Sequence, residues 1–287
     1  MFNSFVLMVF CFHKKVCTVP EIYLSNLAAA DLVLVATLPF WAVNVSSRYN
    51  WPFGTPLCKL VNINISMNMY CSIYFLVLIS IDRFVALVHP LSQTKMRRPK
   101  YAKLCCVLVW CFGLLMNSPA LMYRKVGHIP SINTTLCYFD FPNPFVDMLI
   151  SGIQILFIFI IPVSIISPCS FKIIKALKTR ENTQKKEMKA TTLVLAVLLA
   201  FLVCWIPFNL IGIVKLIGKA GGIKQCSIAI NIEISHQVFL YFALFNSVIN
   251  PVLYVIVGKN FRKKVKELIN QWSRGENTSI NYTSSSV

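Results

Sequence analysis

One acidic residue interrupts a long apolar run near the start of the chain. Asp31 follows a Leu-Ala-Ala-Ala stretch, and the sequence around it holds no Lys or Arg. A carboxylate inside a membrane segment is costly and is a functional candidate by default. Hydroxyl and amide groups that could surround it occur in other apolar runs, at Asn3, Asn68, Ser72, Asn246, Ser247 and Asn250. This pattern favours a cation pocket, and the alternative is a polar cluster that fixes helix packing.

A second acid–base combination lies where an apolar run meets a basic loop. Asp82 and Arg83 are adjacent at the end of one run, and Glu187 lies at the start of a later one. The simpler interpretation is an interfacial pair that reaches towards lipid headgroups. The sharper hypothesis is a switch in which Arg83 pairs with Asp82 and Glu187. Breaking that pairing would free the guanidinium for a partner protein.

Residue patterns that support enzyme chemistry are scarce. No two of the 4 histidines, and no His and Glu, have the spacing of a zinc motif. There is no phosphate-binding glycine loop and no nucleophile elbow. Cys105 and Cys106 lie in an apolar run without a Cys-x-x-Cys partner. We therefore expect a protein that is not an enzyme and needs no cofactor beyond an ion.

The composition indicates a helical membrane protein. Apolar residues make up 56% of the chain, charged residues 13%, and the mean hydropathy is +0.66, whereas a soluble domain is about a quarter charged. Runs that could cross ~30 Å of hydrocarbon lie near residues 22–43, 57–88, 102–123, 146–170, 190–214 and 229–256. The run over residues 1–12 spans only about 18 Å, and we interpret it as the inner half of a first helix.

These runs predict an all-α membrane protein, a seven-transmembrane bundle in one domain over residues 1–272 with a flexible cytoplasmic tail over 273–287. Twenty-one of the 28 Lys and Arg residues fall on one side of it, which predicts a cytoplasmic carboxyl terminus and an extracellular amino terminus. Apolar residues at helical intervals after Lys259 predict a short amphipathic helix on the inner leaflet. The net charge of +18 is interpreted as loop charge, so no nucleic-acid partner is expected.

The segments predicted to lie outside hold three cysteines. Cys58 begins the third run and Cys137 lies in the longest outer loop, so we expect these two to form a disulfide, a bond that persists outside the cell. Cys226 would then need a cysteine that this sequence does not contain. Asn133 starts an Asn-Thr-Thr sequon in the same loop and is a glycosylation candidate.

The motifs, taken in order, resemble those of the rhodopsin-like (class A) G-protein-coupled receptors. They are Leu27–Asp31, Asp82-Arg83-Phe84, Cys204-Trp205-Ile206-Pro207 and Asn250-Pro251-Val252-Leu253-Tyr254. Within that class the chain resembles the kinin (bradykinin) receptors, and next the angiotensin receptors. The stretches that resemble them include residues 21–31, 50–54, 66–70 and 255–264.

The resemblance implies three groups of functional residues. A sodium pocket would comprise Asp31, Asn68, Ser72, Asn246 and Ser247. A core that repacks on activation would comprise Ile73, Pro162, Phe201, Trp205, Asn250, Pro251 and Tyr254. The residues for G-protein coupling would be Asp82, Arg83 and Glu187.

The resemblance also implies the ligand and the partners. The protein would lie in the plasma membrane, bind an extracellular kinin-like peptide and activate the heterotrimeric G protein of the phospholipase C and calcium pathway, with arrestin as a further partner. Kinins begin with arginine, so the outer acids Glu233, Asp140 and Asp147 are candidate ligand residues. Lys215 stands where these receptors usually hold an acid. The alternatives are an angiotensin-like peptide and a non-signalling decoy, whereas a transporter would show repeats that are absent.

Overall fold

The structure is a computed structural model that describes residues 2–13, 17–88, 98–179, 185–221 and 226–284. Within those ranges, six helical segments are long and apolar enough to cross a membrane: Val19–Ser46, Gly54–Val88, Pro99–Tyr123, Pro144–Leu177, Thr191–Gly221 and Ser227–Ile256. A shorter apolar helix, Phe2–Phe12, precedes them. All seven coincide with apolar runs of the sequence, so the predicted helical membrane bundle is confirmed.

The helices have the following bounds. They are α1 (Phe2–Phe12), α2 (Val19–Ser46), α3 (Gly54–Val88), α4 (Pro99–Met116), α5 (Ser118–Tyr123), α6 (Pro144–Ile155), α7 (Ile161–Thr179), α8 (Lys185–Gly221), α9 (Cys226–Leu244), α10 (Asn246–Ile256) and α11 (Lys259–Ser284). Pro99 and Pro144 occupy the first turns of α4 and α6. N–H groups in a first turn have no partner within the helix, so a proline there costs no helical hydrogen bond. The Asn143 side chain caps α6 by accepting the Val146 N–H at 2.9 Å.

A π-helical segment, Leu156–Ile160, separates α6 from α7. The Ile161 N–H donates to the Leu156 carbonyl, five residues back. Pro162 follows directly and has no N–H to contribute to a regular helix. The disruption next to this proline takes the form of one wider turn, a feature often found at functional positions.

α3 is the central helix of the bundle. It packs against α2, α4, α7 and α8, and its buried face carries polar side chains from Asn68 to Arg83 as well as apolar ones. α10 contacts α1, α2 and α8. This arrangement brings side chains from α2, α3 and α10 together in the middle of the bundle.

A two-stranded antiparallel sheet was not part of the all-α expectation. Strands β1 (Arg124–Ile129) and β2 (Thr134–Phe139) pair with Val126 opposite Cys137. Cys137 is disulfide-bonded to Cys58 of α3, with their Cα atoms 5.8 Å apart, so the predicted pairing is confirmed. We call this side of the bundle the hairpin end, and the side with Arg83 and α11 the arginine end.

α11 follows α10 after a sharp corner and lies against the arginine end. A Cβ at Gly258 would overlap the Tyr254 carbonyl oxygen, so only glycine fits this corner. Phe261 and Leu268 are buried, as expected for the amphipathic helix. An ion pair at 2.9 Å joins Lys264 to Glu21 of α2, and a hydrogen bond of the same length joins His13 to Glu267. The helical backbone continues to Ser284, and the flexibility of the tail stays a prediction.

Candidate functional site

Asp31 lies at the centre of the bundle, completely buried on α2. Its two carboxylate oxygens each accept one hydrogen bond from an amide on another helix. Asn68 of α3 donates to Oδ1 at 2.9 Å, and Asn250 of α10 donates to Oδ2 at 2.9 Å. Amides orient a carboxylate and stabilise it without cancelling its charge. Within the described residues Asp31 has no ion pair, so its direct partners are neutral amides.

Further oxygens lie around this carboxylate. The Ser247 hydroxyl donates to Asn68 Oδ1 at 3.4 Å, and Asn3 of α1 donates to the Ser247 carbonyl at 3.0 Å. Four buried oxygens of the polar residues named with Asp31 have no hydrogen-bond partner within the described ranges: Asn3 Oδ1, Ser72 Oγ, Asn246 Oδ1 and Asn250 Oδ1. A buried acceptor left unpaired costs about 1–3 kcal/mol. Oxygen donors of this kind fit a hard cation, so the residue set is chemically suited to sodium.

The predicted activation residues form one buried aromatic and aliphatic cluster. Ile73, Phe201, Trp205 and Tyr254 belong to it. The Trp205 ring stacks on Phe201 with centroids 5.6 Å apart. Pro162 and Pro251 are also buried. Trp205 Nε1 and the Tyr254 hydroxyl lack partners within the described residues, so a different packing that pairs these donors would recover lost hydrogen bonds.

Arg83 is held by its neighbour at the arginine end. Both residues are buried, and the guanidinium Nε and Nη2 donate to one Asp82 oxygen at 3.0 and 2.6 Å. The expected pairing of Arg83 with Asp82 is therefore present, and its action as a switch stays a prediction. The Glu187 side chain lies outside the described residues, so its pairing with Arg83 stays a prediction.

The acids at the hairpin end have a different environment from Asp31. Glu233 on α9 pairs with Lys215 of α8 at 2.5 Å, and Asp147 on α6 pairs with Lys219 of α8 at 2.5 Å. Asp140, just after β2, pairs with Lys125 at 2.7 Å. This hydrogen bond raises the pKa of Lys125. All three acids that the sequence offered as ligand residues thus already form an ion pair with a lysine.

The hairpin itself is attached to the rest of the hairpin end. The Trp51 N–H donates to the Thr135 carbonyl at 2.8 Å, and the buried Trp51 ring packs beside the disulfide. Arg124 lies over the Phe139 ring at 3.9 Å and donates to the Cys137 carbonyl. Burial lowers the pKa of Arg124 to about 10. Asn133 lies at the exposed turn of the hairpin with a left-handed backbone, a position that is accessible to modification.

Sequence reasoning did not assign Lys219 or Lys125 to the site. Lys215 and Lys219 are four residues apart, so they share one face of a helix, and this spacing was the available signal. Nothing in the sequence indicated which acid each lysine meets. Cys226 begins α9, but its side chain lies outside the described residues, and its expected partner stays a prediction.

Comparison with known proteins supports one family. The family model for the 7 transmembrane receptors (rhodopsin family) matches residues 2–254. The B2 bradykinin receptor of Oryctolagus cuniculus is 43% identical over 272 residues, 93% of this chain and 74% of that protein. The human B2 receptor is 42% identical, covering 93% of this chain and 70% of the receptor. The human B1 bradykinin receptor is 37% identical, covering 94% and 78%.

These proteins are membrane-spanning signalling receptors and not enzymes, as the lack of catalytic motifs predicted. The match extends from the short helix α1 to Tyr254 of α10 and includes the buried acid, the arginine and the aromatic cluster described above. The chain belongs to the rhodopsin family of seven-transmembrane receptors.

Proposed function

We propose that this protein is a receptor for a bradykinin-like peptide that activates the heterotrimeric G protein of the phospholipase C and calcium pathway. The observation that carries the proposal is the identity of 37–43% with B1 and B2 bradykinin receptors over 93–94% of the chain. The intact Asp82–Arg83 pair and the segment Asn250–Tyr254 favour a signalling receptor over a decoy. Arrestin is a further proposed partner of the arginine end.

The hairpin end faces outward in this proposal and the arginine end faces the cytoplasm. The excess of Lys and Arg in the loops of the arginine end supports that orientation. The disulfide at the hairpin end fits an oxidising exterior. Asn133 at the hairpin turn would then carry a glycan. The peptide enters among the outer ends of α6, α8 and α9.

Activation is a shift between two arrangements of the same bundle. A peptide promotes the active arrangement only by the amount that it binds that arrangement more tightly. The cluster around Trp205 lies between the hairpin end and Tyr254, and repacking there would release Arg83 from Asp82. The freed guanidinium then contacts the G protein.

The oxygen-rich centre is proposed to hold a sodium ion when the receptor is inactive. Asp31, Ser72 and Asn246 would supply oxygens directly, with Asn68 and Ser247 supporting them. A bound cation supplies the positive charge that the amides around Asp31 do not. These side chains hold α2, α3 and α10 together, which favours the inactive arrangement.

A calcium assay in cells that display the chain at their surface tests the proposal. Bradykinin, its form without the carboxyl-terminal arginine, and angiotensin are applied side by side. We expect a response to a kinin at nanomolar concentration and its loss in Arg83→Ala. Silence to both kinins with the protein at the surface would contradict the proposed ligand, and an angiotensin response would support the other peptide class.

A further inference from the structure

Two lysines on one face of α8 connect that helix to two different neighbours. Lys215 binds Glu233 on α9 and Lys219 binds Asp147 on α6, both at 2.5 Å. Because the lysines are four residues apart, they project from adjacent turns of one surface. The end of α8 is therefore fastened on both sides by ion pairs that join separate helices.

The hairpin end has no acid left over for a ligand within the described residues. Its remaining carboxylate, Asp140, is paired with Lys125. Other cations there bind carbonyl oxygens, as Lys59 does to Leu121 at 2.7 Å and Arg124 does to Cys137 at 3.2 Å. A cationic ligand that approaches a carboxylate at this end must therefore displace a lysine of the receptor itself.

Such a displacement is physically reasonable at Glu233. The Lys215 and Glu233 side chains are 30% and 50% exposed, so their ion pair is weakened by solvent. A ligand guanidinium can bind a carboxylate through two parallel hydrogen bonds, which a lysine cannot. A ligand guanidinium can therefore replace Lys215 at Glu233. Because the Lys215–Glu233 ion pair must be broken first, the net binding free energy that the ligand gains is smaller.

We infer that Lys215 and Lys219 are a clamp on the end of α8 and that Lys215 determines how strongly the site selects a cationic peptide. The cation of the agonist competes with Lys215 for Glu233, and its binding releases α8 from α9. The selectivity part of this inference rests on the proposed kinin function. The clamp part does not.

A thermal double-mutant cycle tests the clamp without any agonist. The full chain in detergent is compared with Lys215→Gln, Glu233→Gln and the double variant. Each single change should lower the Tm by about 1–3 °C. The Tm of the double variant should be no lower than that of either single variant. Lys59→Gln, which removes a partly exposed lysine bound to a carbonyl, is the matched control and should not couple to Glu233→Gln. Strictly additive shifts would overturn the clamp.

Competition binding tests the selectivity. The probes are bradykinin and an analogue whose first arginine is citrulline, which is neutral and nearly the same shape. Lys215→Gln should increase the preference for bradykinin over the analogue by roughly three- to ten-fold, and Lys59→Gln should leave that preference unchanged. An unchanged preference in Lys215→Gln, with bradykinin still bound, would overturn the selectivity but leave the proposed function intact. Failure of bradykinin to bind any of these proteins would overturn both the selectivity and the proposed function. The clamp would still be tested by the thermal cycle, which uses no agonist.

Discussion

Asp31 at the centre of the bundle and Glu233 at the hairpin end are both carboxylates that join two or more helices, yet their partners differ in kind. Asp31 is completely buried and accepts hydrogen bonds from the neutral amides of Asn68 and Asn250. Glu233 is half-exposed and paired with the ammonium of Lys215. Within the described residues the central acid is bound by neutral amides alone, whereas each acid of the hairpin end is paired with a lysine.

This difference separates two ways of using an acid. A carboxylate among amides remains able to bind a small cation, and its low-dielectric surroundings make that binding sensitive to single side chains. A carboxylate beside a lysine attracts other cations less, and its exposure makes the pair replaceable. We therefore expect substitutions at the centre to change ion sensitivity and stability more than equivalent substitutions at the hairpin end.

The largest expected effect is on ion sensitivity. Asp31→Asn keeps the size of the side chain but removes the charge that would attract sodium. We expect agonist affinity in this variant to be independent of sodium, measured by competition binding with sodium or a large organic cation in the buffer. Asp147→Asn makes the same chemical change at the hairpin end and should retain the sodium effect. Equal sodium sensitivity in both variants would contradict the pocket.

The next effect is on stability. Asn250→Ala leaves Asp31 Oδ2 buried without its donor, which should cost about 1–3 kcal/mol and lower the Tm by several degrees. Glu233→Gln at the half-exposed pair should cost less than about 1 kcal/mol. Thermal unfolding of both variants in the same detergent measures the difference. A larger loss of stability in Glu233→Gln than in Asn250→Ala would contradict the expectation that the central acid contributes more than the acid at the hairpin end.

A smaller effect is expected on peptide affinity. Glu233→Gln removes one carboxylate from the proposed peptide site, but Lys215 already occupies it. We therefore expect bradykinin affinity to fall by roughly two- to five-fold, measured by saturation binding. An unchanged affinity would remove Glu233 from the site, and a loss of a hundred-fold would mean that Lys215 does not compete for it.

The smallest effect is expected at the exposed pair of the hairpin. Lys125→Gln breaks the bond to Asp140, and the Tm at pH 7 should not change measurably because solvent screens the pair. The pKa of Lys125 is raised, so any contribution is complete below the pKa of an unfolded lysine and is lost only as the pH rises through the raised value. A clear Tm decrease at pH 7 would show that this pair stabilises the hairpin more than its exposure indicates.

The sequence was a reliable guide to what lies inside single helices. The apolar runs predicted the seven helices. The disulfide was predictable because cysteines outside the apolar runs were few. The hairpin was not expected, since its strands are only six residues long and neither alternates buried and exposed side chains.

The sequence by itself determined the apolar helices and the presence of an acid, amides and aromatic residues within them, because these are properties of short, continuous stretches. Only the tertiary structure decided the partners. Asp31 meets Asn68 and Asn250 across 37 and 219 residues of chain, and Glu233 meets Lys215 of another helix. Such pairings depend on how each helix is rotated about its axis and on which helices are neighbours, and packing of the whole bundle sets both.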